Sequence, residues 1–196
     1  MKRHESFNTR VAKGNVDLVF IRDSITQGWG GKGVWAKFYA KRNTVNLGIG
    51  GDRTQHVIWR LDNGNLKNIT PKAAVIMIGT NNAGSNTSKE IAEGVTAIVK
   101  QIQTKSPKTK ILLLGVFPRG TNNADKRRQV NEGANAIFKK LADGKHVHYL
   151  DIGTKFLEKD GTLTRKIMPD LLHLSEAGYT IWAESIEGKL KELMGE

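Results

Sequence analysis

The sequence predicts an α/β fold in which a five-stranded parallel sheet carries helices on both faces. Two observations lead there. Short apolar, β-branched runs alternate with longer segments of helical spacing, and that alternation builds parallel sheets through helical crossovers. Runs such as "AVIMI" and "ILLLGV" are apolar without interruption, as suits strands buried on both sides. No linker, repeat or low-complexity segment interrupts the pattern, so residues 1–196 are read as a single domain with a sizeable core.

The elements follow in order. The first strand is expected at "VDLVFI" (16–21), where the apolar run stops at Arg22, Asp23 and Ser24. A helical pattern, "GVWAKFYAKR" (33–42), leads to the second strand, "TVNLGI" (44–49). Another, "RTQHVIWRLDNG" (53–64), precedes the third, "AAVIMIG" (73–79). In "TSKEIAEGVTAIVKQIQTK" (87–105), Ile91, Val95, Ile98 and Ile102 make a stripe along one helix face. "KILLLGVF" (110–117) and "HVHYLDI" (146–152) supply the last two strands, with the helical "ADKRRQVNEGANAIFKKLADG" (124–144) between them. A final helix spans 175–195 and opens at Ser175, a residue type suited to an N-cap.

Composition narrows the function. The chain has no cysteine, which excludes disulfides and thiolate metal sites. No apolar run reaches transmembrane length, and "MKRHESFNTR" lacks the apolar core of a signal peptide, so no membrane span is expected. The compartment stays open between the cytoplasm and secretion with a leader absent from this chain. Thirty-one Lys and Arg against nineteen Asp and Glu give a net charge of +12, which raises a polyanion-binding reading. The basic residues are scattered through "KSPKTK" (105–110), "KRR" (126–128) and "KK" (139–140) without interleaved aromatics. A solvated basic surface is therefore expected, and no nucleic-acid partner.

In open parallel sheets, ligands bind outside the carboxyl ends of the strands. Strand one runs into Asp23-Ser24, strand two into "GIGGD" (48–52) and strand three into "GTNN" (79–82), while "PDLLHLSEAGY" (169–179) sets Asp170 and His173 just before the last helix. These segments should share one end of the sheet, and together they suit acyl transfer. A serine hydroxyl becomes nucleophilic when a histidine takes its proton, and a carboxylate fixes that histidine's tautomer. Asp170 and His173, three apart in a turn, can make that contact, and Asp170 is expected to be buried. The oxyanion needs donors, available from the Ser24 N–H, a glycine N–H of "GIGGD" and the Asn81 side chain. Singly, each residue has an ordinary reading: Ser24 as a helix cap, His173 as a surface histidine, Asn81 and "GIGGD" as turn formers. Their joint placement after successive strands favours catalysis.

With these residues in hand, the sequence resembles the SGNH (GDSL-like) hydrolases, in particular the catalytic α-subunits of platelet-activating-factor acetylhydrolases and their bacterial relatives. The resemblance runs from about Val16 to the end and rests on "NLGIGGDRTQHVIWRLDNG", "IMIGTNNAG", "LLLGVFPRG" and "DLLHLSEAGY". It implies a three-layer, flavodoxin-like arrangement, no metal or other cofactor, and hydrolysis of short acyl esters, typically acetyl. By motif position Ser24 corresponds to the nucleophile, Asp170 and His173 to its triad partners, and Gly51 and Asn81, with Ser24, to the oxyanion donors. A small acyl ester is the expected partner, and a homodimer is allowed.

One position departs from the family. Its first block reads Gly-Asp-Ser, and here Arg22 stands in the glycine's place. A glycine there implies either positive φ or close packing. Arg22, at the open end of the strand, can either reach outward to water along its aliphatic stem or lean into the pocket and tilt Ser24. The alternative function is a non-catalytic binding or scaffold protein on the same fold, made inert by Arg22. Other motifs carry less. "GWGGKG" (28–33) matches a dinucleotide fingerprint formally, but Gly28 is displaced from the strand and Asn46 stands near the end of strand two where an acid belongs. No Walker lysine motif or G-x-S-x-G elbow is present, and "HVH" (146–148) has no evident third metal ligand.

Overall fold

The computed structural model describes residues 1–30 and 33–196; Gly31 and Lys32, within the glycine-rich 28–33 run, lie outside the described residues. Five strands, β1 (Leu18–Arg22), β2 (Thr44–Asn46), β3 (Ala73–Met77), β4 (Lys110–Leu114) and β5 (Val147–Leu150), form one sheet in the order β2-β1-β3-β4-β5. All four pairings are parallel; Phe20 on β1 stands beside Asn46 on one side and Val75 on the other. The chain steps outward from β1 to β2 and then crosses back to β3. That reversal puts the topological switch point, where such sheets bind ligands, between β1 and β3.

The two-residue period of the strands sorts their side chains into two cores. Val19 and Ile21 of β1 pack with Ala74, Ile76, Ile111 and Leu113 on one face, under α1 (Lys2–Ala12), α4 (Thr54–Asp62), α5 (Ser88–Lys105) and α6 (Lys126–Phe138). Leu18 and Phe20 pack with Val75, Met77, Leu112 and Leu114 on the other, under α2 (Ser24–Gln27), α3 (Gly33–Phe38) and α7 (Glu176–Met194). The α5 stripe is buried as its spacing predicts. Each such aliphatic side chain contributes about 1.5–3 kcal/mol on leaving water. Thr87 caps that helix, its Oγ1 accepting the Glu90 N–H while Glu90 Oε2 accepts the Thr87 N–H.

The structure differs from the sequence expectation at several elements. The N-terminal α1 was not expected: its buried residues are only His4, Phe7 and Val11, a thin stripe in a charged segment. The second strand closes at Asn46 rather than 49, because the chain leaves regular pairing to form the site loop. Leu47 and Ile49 still donate to the Phe20 and Arg22 carbonyls at 2.8 and 3.2 Å. The helix expected to run to 144 ends at Phe138, and Asp143 then accepts the Lys145, His146 and Val147 N–H groups to start β5. The basic residues are not all solvated: Arg22, Arg60 and Arg128 are buried. Among the described residues no helix is long and apolar enough to cross a membrane.

Candidate active site

Ser24 sits where β1 becomes α2. The helix cap there is Asp23, not Ser24: its Oδ1 accepts the Ile25 N–H at 3.0 Å, which leaves Ser24 as the first helical residue with its hydroxyl free for other contacts. Tyr179 of α7 supports this turn from below, its OH donating to the Ile25 carbonyl at 2.6 Å. Gly48 closes it from the β2 side. A Cβ at 48 would press into the Gln27 amide nitrogen and lie 2.9 Å from the Asp23 carbonyl oxygen, so only glycine lets the two loops meet.

The segment before α7 brings His173 over this turn. Ser24 Oγ lies 2.8 Å from His173 Nε2, and His173 Nδ1 lies 2.6 Å from Asp170 Oδ2. Asp170 Oδ1 also accepts the His173 and Leu172 N–H groups at 2.7 and 3.1 Å. Leu171 between them takes a left-handed φ of 60°, a conformation costing on the order of 1–3 kcal/mol, and its carbonyl is held by the Gly120 N–H. Asp170 is exposed rather than buried: over half its side chain faces solvent, so its partners, not the interior, orient it. Desolvation pushes its pKa up, but the hydrogen bonds from His173 and Leu172 outweigh that and hold it below the usual carboxylate range.

The three expected oxyanion donors gather at the same edge. Gly51 has φ of +79°, which a side chain would resist, and nothing lies within 4 Å of where a Cβ would point. Neither the Ser24 nor the Gly51 N–H donates to an acceptor among the described residues. Asn81 spends one amide hydrogen on the Asp52 carbonyl at 2.9 Å and retains a second donor. The Asp52 carboxylate is itself locked by Arg60, whose Nε donates to Oδ2 at 2.9 Å while Nη1 donates to Asn65. Sequence reading missed this supporting pair, because its members acquire meaning only once α4 folds back on the loop. A cleft of about 330 Å³ opens beside Gly50 and Gly51, flanked by Ile49 and the half-exposed Trp59. A larger one of about 740 Å³, between α1 and the end of α4, includes none of these site residues. Among the described residues no cluster of three or more His, Asp or Glu is placed to hold a metal ion.

Arg22 does not reach water. It is only 1% exposed, its φ is not positive, and its guanidinium lies over the Phe117 ring at 4.9 Å and the Trp182 ring at 5.6 Å. As residue 22 it shares the face of Leu18 and Phe20, so the strand period aims it under α7 rather than outward. Among the described residues the one carboxylate paired with it is Asp23, at 3.3 Å from Nε.

A serine, a histidine and an aspartate thus lie in one hydrogen-bonded run at the carboxyl edge of a parallel α/β sheet, and comparison with known proteins names the family. Residues 23–181 match the GDSL-like Lipase/Acylhydrolase family, and the chain belongs to it. The chain is 37% identical over 199 residues to the platelet-activating factor acetylhydrolase IB subunit alpha1 of Homo sapiens, covering all of this chain and 84% of that protein. It is 38% identical over 200 residues to the alpha2 subunit of Rattus norvegicus, covering 100% and 85%. Among solved structures it is similar to a GDSL-like lipase from Bacteroides thetaiotaomicron, with a TM-score of 0.75, 19% identity and 97% of each chain covered. An acetylxylan esterase from Geobacillus stearothermophilus superposes with a TM-score of 0.70 at 20% identity, covering 93% and 95%. These last two likenesses concern the fold. The family and the acetylhydrolase relatives make this protein a carboxylic ester hydrolase.

Proposed function

We propose that the protein cleaves short, acetyl-sized esters through Ser24, His173 and Asp170. The observation that carries this reading is the continuous run from Ser24 Oγ to His173 Nε2 to Asp170, at 2.8 and 2.6 Å. With Nδ1–H donated to Asp170, Nε2 is the free acceptor. It takes the hydroxyl proton as Oγ bonds to the acyl carbon. The negative charge that develops on the carbonyl oxygen meets the Ser24 and Gly51 N–H groups and the second Asn81 amide hydrogen. As the carbon–oxygen bond to the alcohol breaks, Nε2–H protonates the leaving oxygen. Water, deprotonated by the same nitrogen, then attacks the acyl-serine and releases the carboxylic acid and free Ser24.

Acetyl is the acyl group in the names of the relatives that share over a third of this sequence. The buried position of Arg22 supports the catalytic reading over an inert scaffold, because the guanidinium occupies the core rather than the mouth of the site. Hydrolysis of p-nitrophenyl acetate by the wild type and by Ser24→Ala, with fluorophosphonate labelling of both, tests the assignment. The alanine variant should stay folded, lose labelling and fall at least about a thousandfold in kcat/KM. Full activity in that variant would rule out Ser24 as nucleophile.

A further inference from the structure

Arg22 is the feature that the reaction above leaves unused. It is among the largest fully buried side chains of the described residues and stands two positions before Ser24. Its partner Asp23 is wholly buried too, and their contact of 3.3 Å joins two charges that have both left water. Such a pair persists only where each ion compensates the other; the Phe117 and Trp182 rings lie against the cation, and among the described residues its nitrogens make no hydrogen bond, so the Asp23 charge is its main compensation. Asp23 matters because of what else it holds. The same Oδ1 that faces Arg22 accepts the Ile25 N–H, and the Asp23 carbonyl accepts the Gln27 N–H at 3.1 Å, so this residue shapes the turn on which Ser24 stands.

We propose that Arg22 is a positioning residue: it supplies the buried counter-charge for the Asp23 carboxylate, and the pair fixes the turn that aims Ser24 at His173. The inference rests on Ser24 being the nucleophile, and it gives the arginine in the family's glycine position a task. The other groups whose charge reaches Asp23 are Asp52 before α4, Arg119 after β4, His173 before α7 and Tyr179 on α7. Among the described residues Arg22, unlike these, is in direct ion-pair contact with it. Burial is the largest influence on Asp23 and drives its carboxyl toward the neutral form; Arg22 is the largest influence opposing it.

The experiment compares Arg22→Met, Arg22→Lys, Asp23→Asn and the double variant Arg22→Met/Asp23→Asn on p-nitrophenyl acetate across pH, with circular dichroism as a check on folding. Arg22→Met should lower kcat about tenfold with KM within twofold, as a mis-aimed nucleophile does. Its acid limb should move up by about one pH unit, because an uncompensated buried carboxylate protonates at higher pH. Arg22→Lys should keep the wild-type acid limb and a kcat within about threefold. The double variant should be no worse than Asp23→Asn alone, since an uncharged cap needs no counter-charge. Wild-type kcat and pH profile in Arg22→Met, or full multiplication of the two single effects, overturns the proposal. If Arg22→Met fails to fold, Arg22→Lys decides: a tenfold loss or a shifted acid limb despite the retained charge overturns it. Ser24→Ala is assayed alongside. Full activity there defeats the nucleophile assignment, whereas an inactive Ser24→Ala beside an unchanged Arg22→Met defeats only this inference.

Discussion

Gly48→Ala tests how closely the turn that carries Ser24 is gripped by the neighbouring loop. An added Cβ would press into the Gln27 amide nitrogen and lie 2.8 Å from the Thr26 carbonyl carbon and 2.9 Å from the Asp23 carbonyl oxygen. All three are backbone atoms, so no side chain can swing aside. Ordinary contact needs about 3.5 Å, so the turn must retreat by about 0.6 Å at Asp23 and further at Gln27. A displacement of about 1 Å near reacting groups costs on the order of a hundredfold in rate, which places the expected loss in kcat/KM between about 10- and 100-fold. Overpacking should also destabilise by about 1–3 kcal/mol. Gly50→Ala is the control: its Cβ would meet only Gln27 Oε1 at 3.5 Å and Ser24 Cβ at 3.8 Å, so activity should stay within about threefold. Kinetics on p-nitrophenyl acetate and a thermal melt read both effects. Equal activity in the Gly48 and Gly50 variants would refute the argument that contact with the β2 loop positions Ser24.

The remaining expectations are these. Asp170→Asn keeps an acceptor toward His173 Nδ1 but removes the charge that stabilises an imidazolium, so kcat should fall at least about a hundredfold with KM little changed; a loss under threefold would make Asp170 a structural cap only. Against p-nitrophenyl esters of rising length, kcat/KM should decline from acetyl to octanoyl, and a maximum at octanoyl would contradict the acetyl assignment. Asp143, held down to about 2 by the Val147, Lys145 and His146 N–H groups, should contribute stability above the unfolded carboxylate value of about 3.9 and lose it as pH falls toward 2. The stability gap between wild type and Asp143→Asn should therefore close across that window, and a gap unchanged at pH 2 would refute the linkage. Thr87→Ala should cost about 1 kcal/mol by uncapping α5, measured by denaturant unfolding; no change in midpoint would show the cap to be idle.

What the sequence determined by itself was whatever depends on spacing along the chain. Alternating strand and helix patterns specified five strands, uninterrupted apolar runs marked the central ones as buried on both faces, and a stripe of Ile and Val at helical intervals specified α5. The positions of Ser24, Gly51 and Asn81 just past their strands, and of Asp170 and His173 in one turn, were legible because a parallel sheet sends every strand's carboxyl end to the same edge. Tertiary structure decided what depends on directions and neighbours. A thin stripe of His4, Phe7 and Val11 becomes a helix because the sheet offers it a face to cover. Asp52 and Arg60 become the brace for Asn81 because α4 folds back over the loop. Arg22 reads, on charge alone, as a residue bound for water. The strand's alternation turns it instead under α7, beside the Asp23 carboxylate and against the Phe117 and Trp182 rings.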